Sequence, residues 1–231
     1  MSEEKSVLRW GGLAGMISPI FTILTAITLF GFVPSAPAGP QGLVMRYPDV
    51  RAVYVVGETF YLVSIILAIP FYLALYRALR GTSLAPALWG IGLSFLSLAA
   101  VAVQAVPRVV FGGISNLYHA PGATPQDQTT LGLIWQSTQD IFNELDTAAV
   151  IFQTIGYILF GIAMLRNPAF GKRIGGVVIV LALAGLVGLY LLGIDSLLYA
   201  PLGLFVLIVL PIFLGWKVYS LSKTAQERAS Y

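Results

Sequence analysis

Asp140 and Glu144 are carboxylates four residues apart, inside the most polar stretch of the chain, Gln136 to Thr147. On a helix, Gln136, Asp140, Asn143, Glu144 and Thr147 share one continuous face. Two carboxylates at that spacing repel unless a cation lies between them, and Arg108 is the first candidate cation, with Arg51 second. Such a pair is the minimum kit for general acid–base work. It also suits a cation, an amine or a polar headgroup, or an ion-pair and capping network that fixes one helix against another. No nucleophile, oxyanion hole or metal-ligand spacing accompanies it. The acid–base reading therefore ranks last, and no catalytic residue is assigned.

The elements that would position this pair are apolar. Of 231 residues, 58% are hydrophobic and 10% charged, against about 25% charged in a typical soluble domain. Such a chain can cover itself with a lipid-compatible surface but not with a water-compatible one. About 20 helical residues cross a hydrocarbon core of about 30 Å. The apolar runs predict six spans, at about 10–32, 58–76, 84–108, 147–165, 174–193 and 197–216. Helical character in the fourth is expected to start earlier, near Gln126 or Thr129. The expected fold is one all-α domain, an integral membrane bundle of six transmembrane helices, because a lipid-exposed backbone must satisfy its own hydrogen bonds. The first run is too long for a signal-peptide core, so it is read as a retained span despite the small residues Ala36-Pro37-Ala38.

The basic residues set the expected orientation. Lys5 and Arg9; Arg77 and Arg80; Arg166, Lys172 and Arg173; and Lys217, Lys223 and Arg228 fall in alternate gaps. Only Arg46, Arg51 and Arg108 fall in the others. Cytoplasmic loops collect Lys and Arg, so both termini are expected in the cytoplasm of a multi-pass plasma-membrane protein. The outer gaps hold Asp49, Glu58, Asp127, Asp140, Glu144, Asp146 and Asp195. Two outer connections are long: Pro34 to Ala52, which carries four prolines and is expected to be ordered coil, and Gly112 to Thr130, which carries Pro121 and Pro125 with glycines.

Counting about 20 residues from each basic boundary brings polar side chains to one level, the outer interface. The candidate ligand-binding or vestibule residues are accordingly Glu58, Gln104, Arg108, Asp140, Asn143, Glu144 and Asp195. Glu58 also reads as a helix N-terminal carboxylate complementing the macrodipole. The deepest polar groups are uncharged: Thr22, Thr25, Ser64, Ser94, Ser97, Gln153 and Thr154. Ion-coupled carriers usually place charges near the midplane, so this pattern speaks against one. Gly11 and Gly15, Gly90 and Ser94, and Gly185 and Gly188 are expected to let helices approach closely. Pro19, Pro70 and Pro211 are expected to kink their spans. Trp10, Trp89, Trp135 and Trp216 lie near span ends, where an aromatic belt places most such residues.

No cysteine is present and His119 is the single histidine. Disulfides, thiolate metal sites, iron–sulfur clusters and intrachain bis-histidine haem are thereby excluded. No cofactor and no metal site is expected, and His119 reads as a solvated loop residue. The bases form no dense run that would bind a nucleic acid. Membrane lipids are the expected partners, with room for a membrane-protein partner or a homo-oligomer.

The stretch Gly156-Tyr157-Ile158-Leu159-Phe160-Gly161 through Leu165-Arg166-Asn167-Pro168, then Gly171 to Gly176 and Ala184 to Tyr190, resembles an uncharacterised bacterial and archaeal membrane family. That family is catalogued as domain of unknown function 4386. Arg9 to Gly15 resembles its opening, and Leu75-Tyr76-Arg77-Ala78-Leu79 the end of its second span. The proline-rich first outer loop and the segment Pro168 to Phe170 depart from its pattern. The resemblance implies six spans and carries over no catalytic residue.

Three functions remain, in order. The first is a non-catalytic bundle that binds a lipid-like or amphiphilic molecule or serves as an accessory subunit. The second is a transporter or channel for a small solute, favoured by a wet path past Thr22, Ser94 and Gln153. The third is an intramembrane enzyme, which needs Glu58, Asp140 and Glu144 to converge on one pocket.

Overall fold

The computed structural model describes residues 2–33, 39, 41–193, 203 and 205–227. They form six long helices: α1 (Ser2–Phe32), α2 (Gly42–Leu79), α3 (Leu84–Tyr118), α4 (Pro125–Arg166), α5 (Gly171–Leu192) and α6 (Leu210–Glu227). A π-helical turn, Phe205–Val209, leads into α6. All six helices are long and apolar enough to cross a membrane. Large apolar side chains such as Ile66, Leu96, Val180 and Val187 face outward, as lipid-facing residues do. The chain is a multi-pass membrane protein built from one all-α bundle.

From α1 to α5 each helix packs beside its sequence neighbour, and α6 packs on α1. Gly185 of α5 lies against Val206 of the π turn and closes the ring. Gly12 of α1 lies against Gly215 and Tyr219 of α6, so both termini share one end, here called the terminal end. The turns after α2 and α4 lie at that end too, because Asn167 Nδ2 donates to the Ala78 carbonyl and to Thr82 Oγ1, both at 3.0 Å. Lys5, Arg9, Arg77, Arg80, Arg166, Lys172 and Arg173 all belong to this end.

Of the glycines expected at close approaches, Gly11 lies against Pro70 and Ala74 and Gly15 against Phe71 of α2, Gly90 against Phe160 and Gly156 of α4, and Gly185 against Val206, all within the protomer. A Cβ on Gly215 would stand 2.8 Å from the Gly12 carbonyl oxygen, and one on Gly156 would stand 3.1 Å from that of Gly90. One on Gly175 would stand 2.7 Å from the Gly161 carbonyl. Gly11 likewise meets the Pro70 carbonyl, so among the described residues α1 touches α2 and α6, and α4 touches α3 and α5, backbone to backbone.

The helices outrun the expected spans. At 1.5 Å per residue, the 38 residues of α2 reach about 57 Å and the 42 of α4 about 63 Å, roughly twice a hydrocarbon core. The expected coil from Gly42 to Ala52 is helical, and so is Gly112 to Tyr118 of the second long outer connection, whereas α4 starts at Pro125, close to the expected Gln126. Pro34, Pro37 and Pro40 lie outside the described residues. Tertiary packing explains the correction. Val44, Tyr47, Phe111, Ile114, Tyr118, Trp135 and Phe142 form a second apolar core away from the terminal end. Burying it outweighs the hydrogen bond that Pro48 removes from α2. Trp135 sits in this core at 3% exposure, stacked on Phe111 at 4.1 Å, whereas Trp10, Trp89 and Trp216 are exposed. Trp135 is thus a core residue rather than a member of the expected aromatic belt.

The larger core occupies the terminal half, around Phe71, Leu75, Leu79, Phe160, Met164 and Leu214. A polar layer separates the two cores.

Candidate functional site

Trp135, Phe142 and Ala149 recur every seven residues and turn one side of α4 into the bundle. The opposite side carries Gln136, Asp140, Asn143 and Glu144, all exposed. The residues expected to share a helical face therefore do share one, but it looks outward rather than toward α3. Asn143 Oδ1 accepts from Gln139 Nε2 at 3.3 Å, and the Asn143 carbonyl accepts from Thr147 Oγ1 at 2.9 Å. Asp140 borders a hollow of about 390 Å³ with Gly39, Leu43, Trp135 and Gln136. Glu144 borders a different groove, between α4 and α5. Glu58 is half-buried on α2, with Oε1 out of reach of solvent, and lines neither. The three carboxylates do not share a pocket. Arg108 belongs to α3, and its side chain lies outside the described residues, as does Asp195.

Gln104 is brought to a partner that is missing from the sequence-based set. It is 2% exposed and donates from Nε2 to Asp146 Oδ1 across the α3–α4 seam at 2.5 Å. The inward direction of Asp146 was readable from its spacing: it lies four residues after Phe142 and three before Ala149, on the apolar side of α4.

Two kinds of cavity adjoin this level. The first kind opens sideways, between helices. The α4–α5 groove has a volume of about 690 Å³ and is walled by Ile151, Leu186, Val187, Leu189, Tyr190 and Leu191. Glu144 and Thr147 supply its polar groups. Glu144 lies 22 residues from Arg166 along α4, roughly 33 Å above the terminal boundary. That is the depth at which a bilayer turns from acyl chains to headgroups. A second hollow of about 610 Å³ lies beside the distal end of α1, lined by Leu29, Phe30, Tyr47, Tyr54, Phe111 and Trp135.

The second kind lies mid-bundle and is partly open, with the exposed Leu207 on its wall. A cavity of about 110 Å³ lies where five helices meet. Ser18 and Thr22 come from α1, Tyr61, Ser64 and Tyr72 from α2, Ser97 from α3, and Gln153 and Tyr157 from α4; Leu207 and Pro211 close it from the π turn and α6. Its walls are tied by hydroxyl bonds. Thr22 Oγ1 and Ser64 Oγ are 2.7 Å apart, and Ser18 Oγ donates to the Ser64 carbonyl at 3.0 Å. Ser97 Oγ donates to the Ala149 carbonyl at 2.8 Å, Gln153 Nε2 to Ser94 Oγ at 3.3 Å, and the Tyr72 and Tyr157 hydroxyls are 3.2 Å apart. Thr22, Ser64, Ser97 and Gln153 are among the deep polar residues expected from the sequence. The tyrosines were hidden among apolar neighbours that match any buried helix.

No group of three or more metal-ligating side chains exists among the described residues. Comparison of the chain with protein families, curated proteins and solved structures gives no match.

Proposed function

We propose that this membrane protein is a non-catalytic binder of an amphiphile, held in the groove between α4 and α5. The observation that carries this reading is the distribution of chemistry along that groove. Glu144 and Thr147 provide its polar groups, and the remaining walls are apolar. Its volume of about 690 Å³ falls within the range of small-molecule sites, about 300–1,000 Å³. An exposed carboxylate at headgroup depth favours a cationic or hydrogen-bond-donating head, with the tail along Leu186, Val187 and Tyr190.

An orientation is part of the same reading. Excess Lys and Arg at the terminal end support a cytoplasmic location for both termini in the plasma membrane. The groove then opens toward the outer leaflet. Membership of the family catalogued as domain of unknown function 4386 is proposed as well, supported by the Gly156–Gly161 and Gly171–Gly176 stretches.

Native mass spectrometry of gently extracted protein tests this directly. A retained lipid-like species of defined mass is expected. A long-chain amine added to delipidated protein should bind, and Glu144→Gln should weaken it by about three- to ten-fold, the equivalent of one charge-assisted contact at a partly exposed site. Equal binding of the amine and of a matched long-chain sulfate, unaffected by the substitution, would refute the reading.

A further inference from the structure

The turn between α2 and α3, at the terminal end, carries a site that rests on neither Glu144 nor the groove. Ser83 holds the N-cap position of α3, yet its hydroxyl caps nothing. An N-cap side chain accepts from the N–H of the second or third helical residue, and the third here is Pro86, which has none. Ser83 is 5% exposed, and among the described residues its Oγ has no hydrogen-bond partner. A buried hydroxyl without a partner costs free energy that an acceptor would recover. The N–H groups of Leu84 and Ala85 stand beside it, with no carbonyl inside the helix to bond. Both residues are exposed, so this helix start opens outward. A hydroxyl, two backbone donors and the positive end of a 35-residue helix thus share one place.

The charge around this start is of one sign. Arg77 and Arg80 end α2. Asn167, through its bonds to Ala78 and Thr82, brings the α4–α5 turn alongside, with Arg166, Lys172 and Arg173. All five bases are exposed, and among the described residues none is in an ion pair. No Asp or Glu occurs between Glu58 and Asp127, or between Asp146 and Asp195. The fitting occupant is therefore an anion. A zwitterionic head would bring an ammonium group to a place with bases and no carboxylate.

Depth and surroundings make that anion a lipid. Leu84–Gln104, 21 residues, is long and apolar enough to cross a membrane. At about 1.5 Å per residue it matches a hydrocarbon core of about 30 Å, which puts Ser83 at headgroup level. On α2, Ile66, Leu73 and Arg77 share one outward face, so an apolar stripe ends in a base. On α3, Leu84, Leu88 and Leu96 are exposed and lead back to Ser83. Two apolar stripes on neighbouring helices therefore meet at the turn, as acyl chains meet at a phosphate head. A soluble phosphate would use the donors and leave the stripes unused.

We infer that the α2–α3 turn docks an anionic phospholipid, whose phosphate accepts from the Ser83 hydroxyl and the first N–H groups of α3 beside Arg80, and whose acyl chains lie on the outward faces of α2 and α3. Native mass spectrometry of the full chain, with phosphatidylglycerol and phosphatidylcholine of matched chains, tests this alongside thermal melts in detergent. Phosphatidylglycerol should be retained about five-fold or more over phosphatidylcholine. It should also raise the thermal midpoint, and inorganic phosphate should not. Ser83→Ala and Arg80→Gln should each weaken retention by about three- to ten-fold, the equivalent of one hydrogen bond to a charged group at a partly exposed site. Lys217→Gln, which removes a base of the same end on α6, should leave retention unchanged. Without lipid, Ser83→Ala should melt no lower than the parent, because the hydroxyl it removes is unpaired; a loss of binding is then not a loss of fold. Each of the following would overturn the inference: equal retention of the two lipids, a midpoint raised as much by inorganic phosphate, equal weakening by Lys217→Gln and Arg80→Gln, retention unchanged by both site substitutions, or a lower lipid-free midpoint for Ser83→Ala.

Discussion

At Thr124 the chain closes a capping box that starts its longest helix. Thr124 Oγ1 accepts from the Asp127 N–H at 3.2 Å, and Asp127 Oδ2 accepts from the Thr124 N–H at 3.0 Å, with Pro125 at the first helical position. The Thr124 hydroxyl donates to the same carboxylate at 2.6 Å. The hydroxyl and then the backbone N–H hold the Asp127 carboxyl below its ordinary value of 3.8. A lowered pKa means that the folded state holds the proton less readily than the unfolded one. The contribution of the cap is therefore complete above pH 3.8 and is lost as pH falls through the lowered value. Amide exchange at Gln126 to Thr129 should be constant near neutrality and accelerate beyond the intrinsic trend only in acid. Thr124→Ala should cost about 1 kcal/mol of local stability at neutral pH, read as faster exchange in the same turn. This start was legible as Thr-Pro-x-Asp, more sharply than the expected start near Gln126 or Thr129. The direction of the acidic face was legible too, though not from the acids. Trp135, Phe142 and Ala149 fix the inward side of α4, which leaves Asp140 and Glu144 on the outer one.

Among elements, the extension of α2 and α4 past the expected spans is the main departure from expectation. Membrane crossings are legible because water-soluble folds seldom carry about twenty consecutive apolar residues. The extension is less legible. Its segments mix Pro48, Gly112 and Thr130 with isolated aromatics, and only three helices together bury those aromatics. Local propensity reads loop, and packing between distant segments overrules it. Trp135 anchors this core against Tyr47, at 5.1 Å between ring centroids, and Phe111. Trp135→Ala should cost about 3–5 kcal/mol in the extension. Hydrogen exchange should rise at residues 43–54, 111–118 and 131–142, while the terminal-half core keeps its protection. At the terminal end the controlling feature is backbone contact. Gly215→Val would drive a side chain onto the Gly12 carbonyl and should lower the thermal midpoint, with an overpacking cost of about 1–3 kcal/mol or more. Gly31→Val, where a Cβ meets nothing within 4 Å, is the matched control.

At the scale of the molecule, charge, packing and cavities form an ordered stack. Basic residues and the tightest core occupy the terminal end, a hydroxyl layer with its cavity lies mid-bundle, and the aromatic core of α2, α3 and α4 stands beyond. Because the chain has no cysteine, single cysteines report position without removal of native thiols. Gln126, Gly81 and Lys172 are positions at opposite ends, and Ile66 is an exposed apolar position within a span. The decisive measurement is labelling of Gln126→Cys, Gly81→Cys, Lys172→Cys and Ile66→Cys in intact cells with a membrane-impermeant maleimide. The account requires labelling of Gln126→Cys from outside, of Gly81→Cys and Lys172→Cys only after permeabilisation, and of Ile66→Cys in neither condition. Labelling at position 81 or 172 in intact cells, or at position 66 in either state, would contradict it.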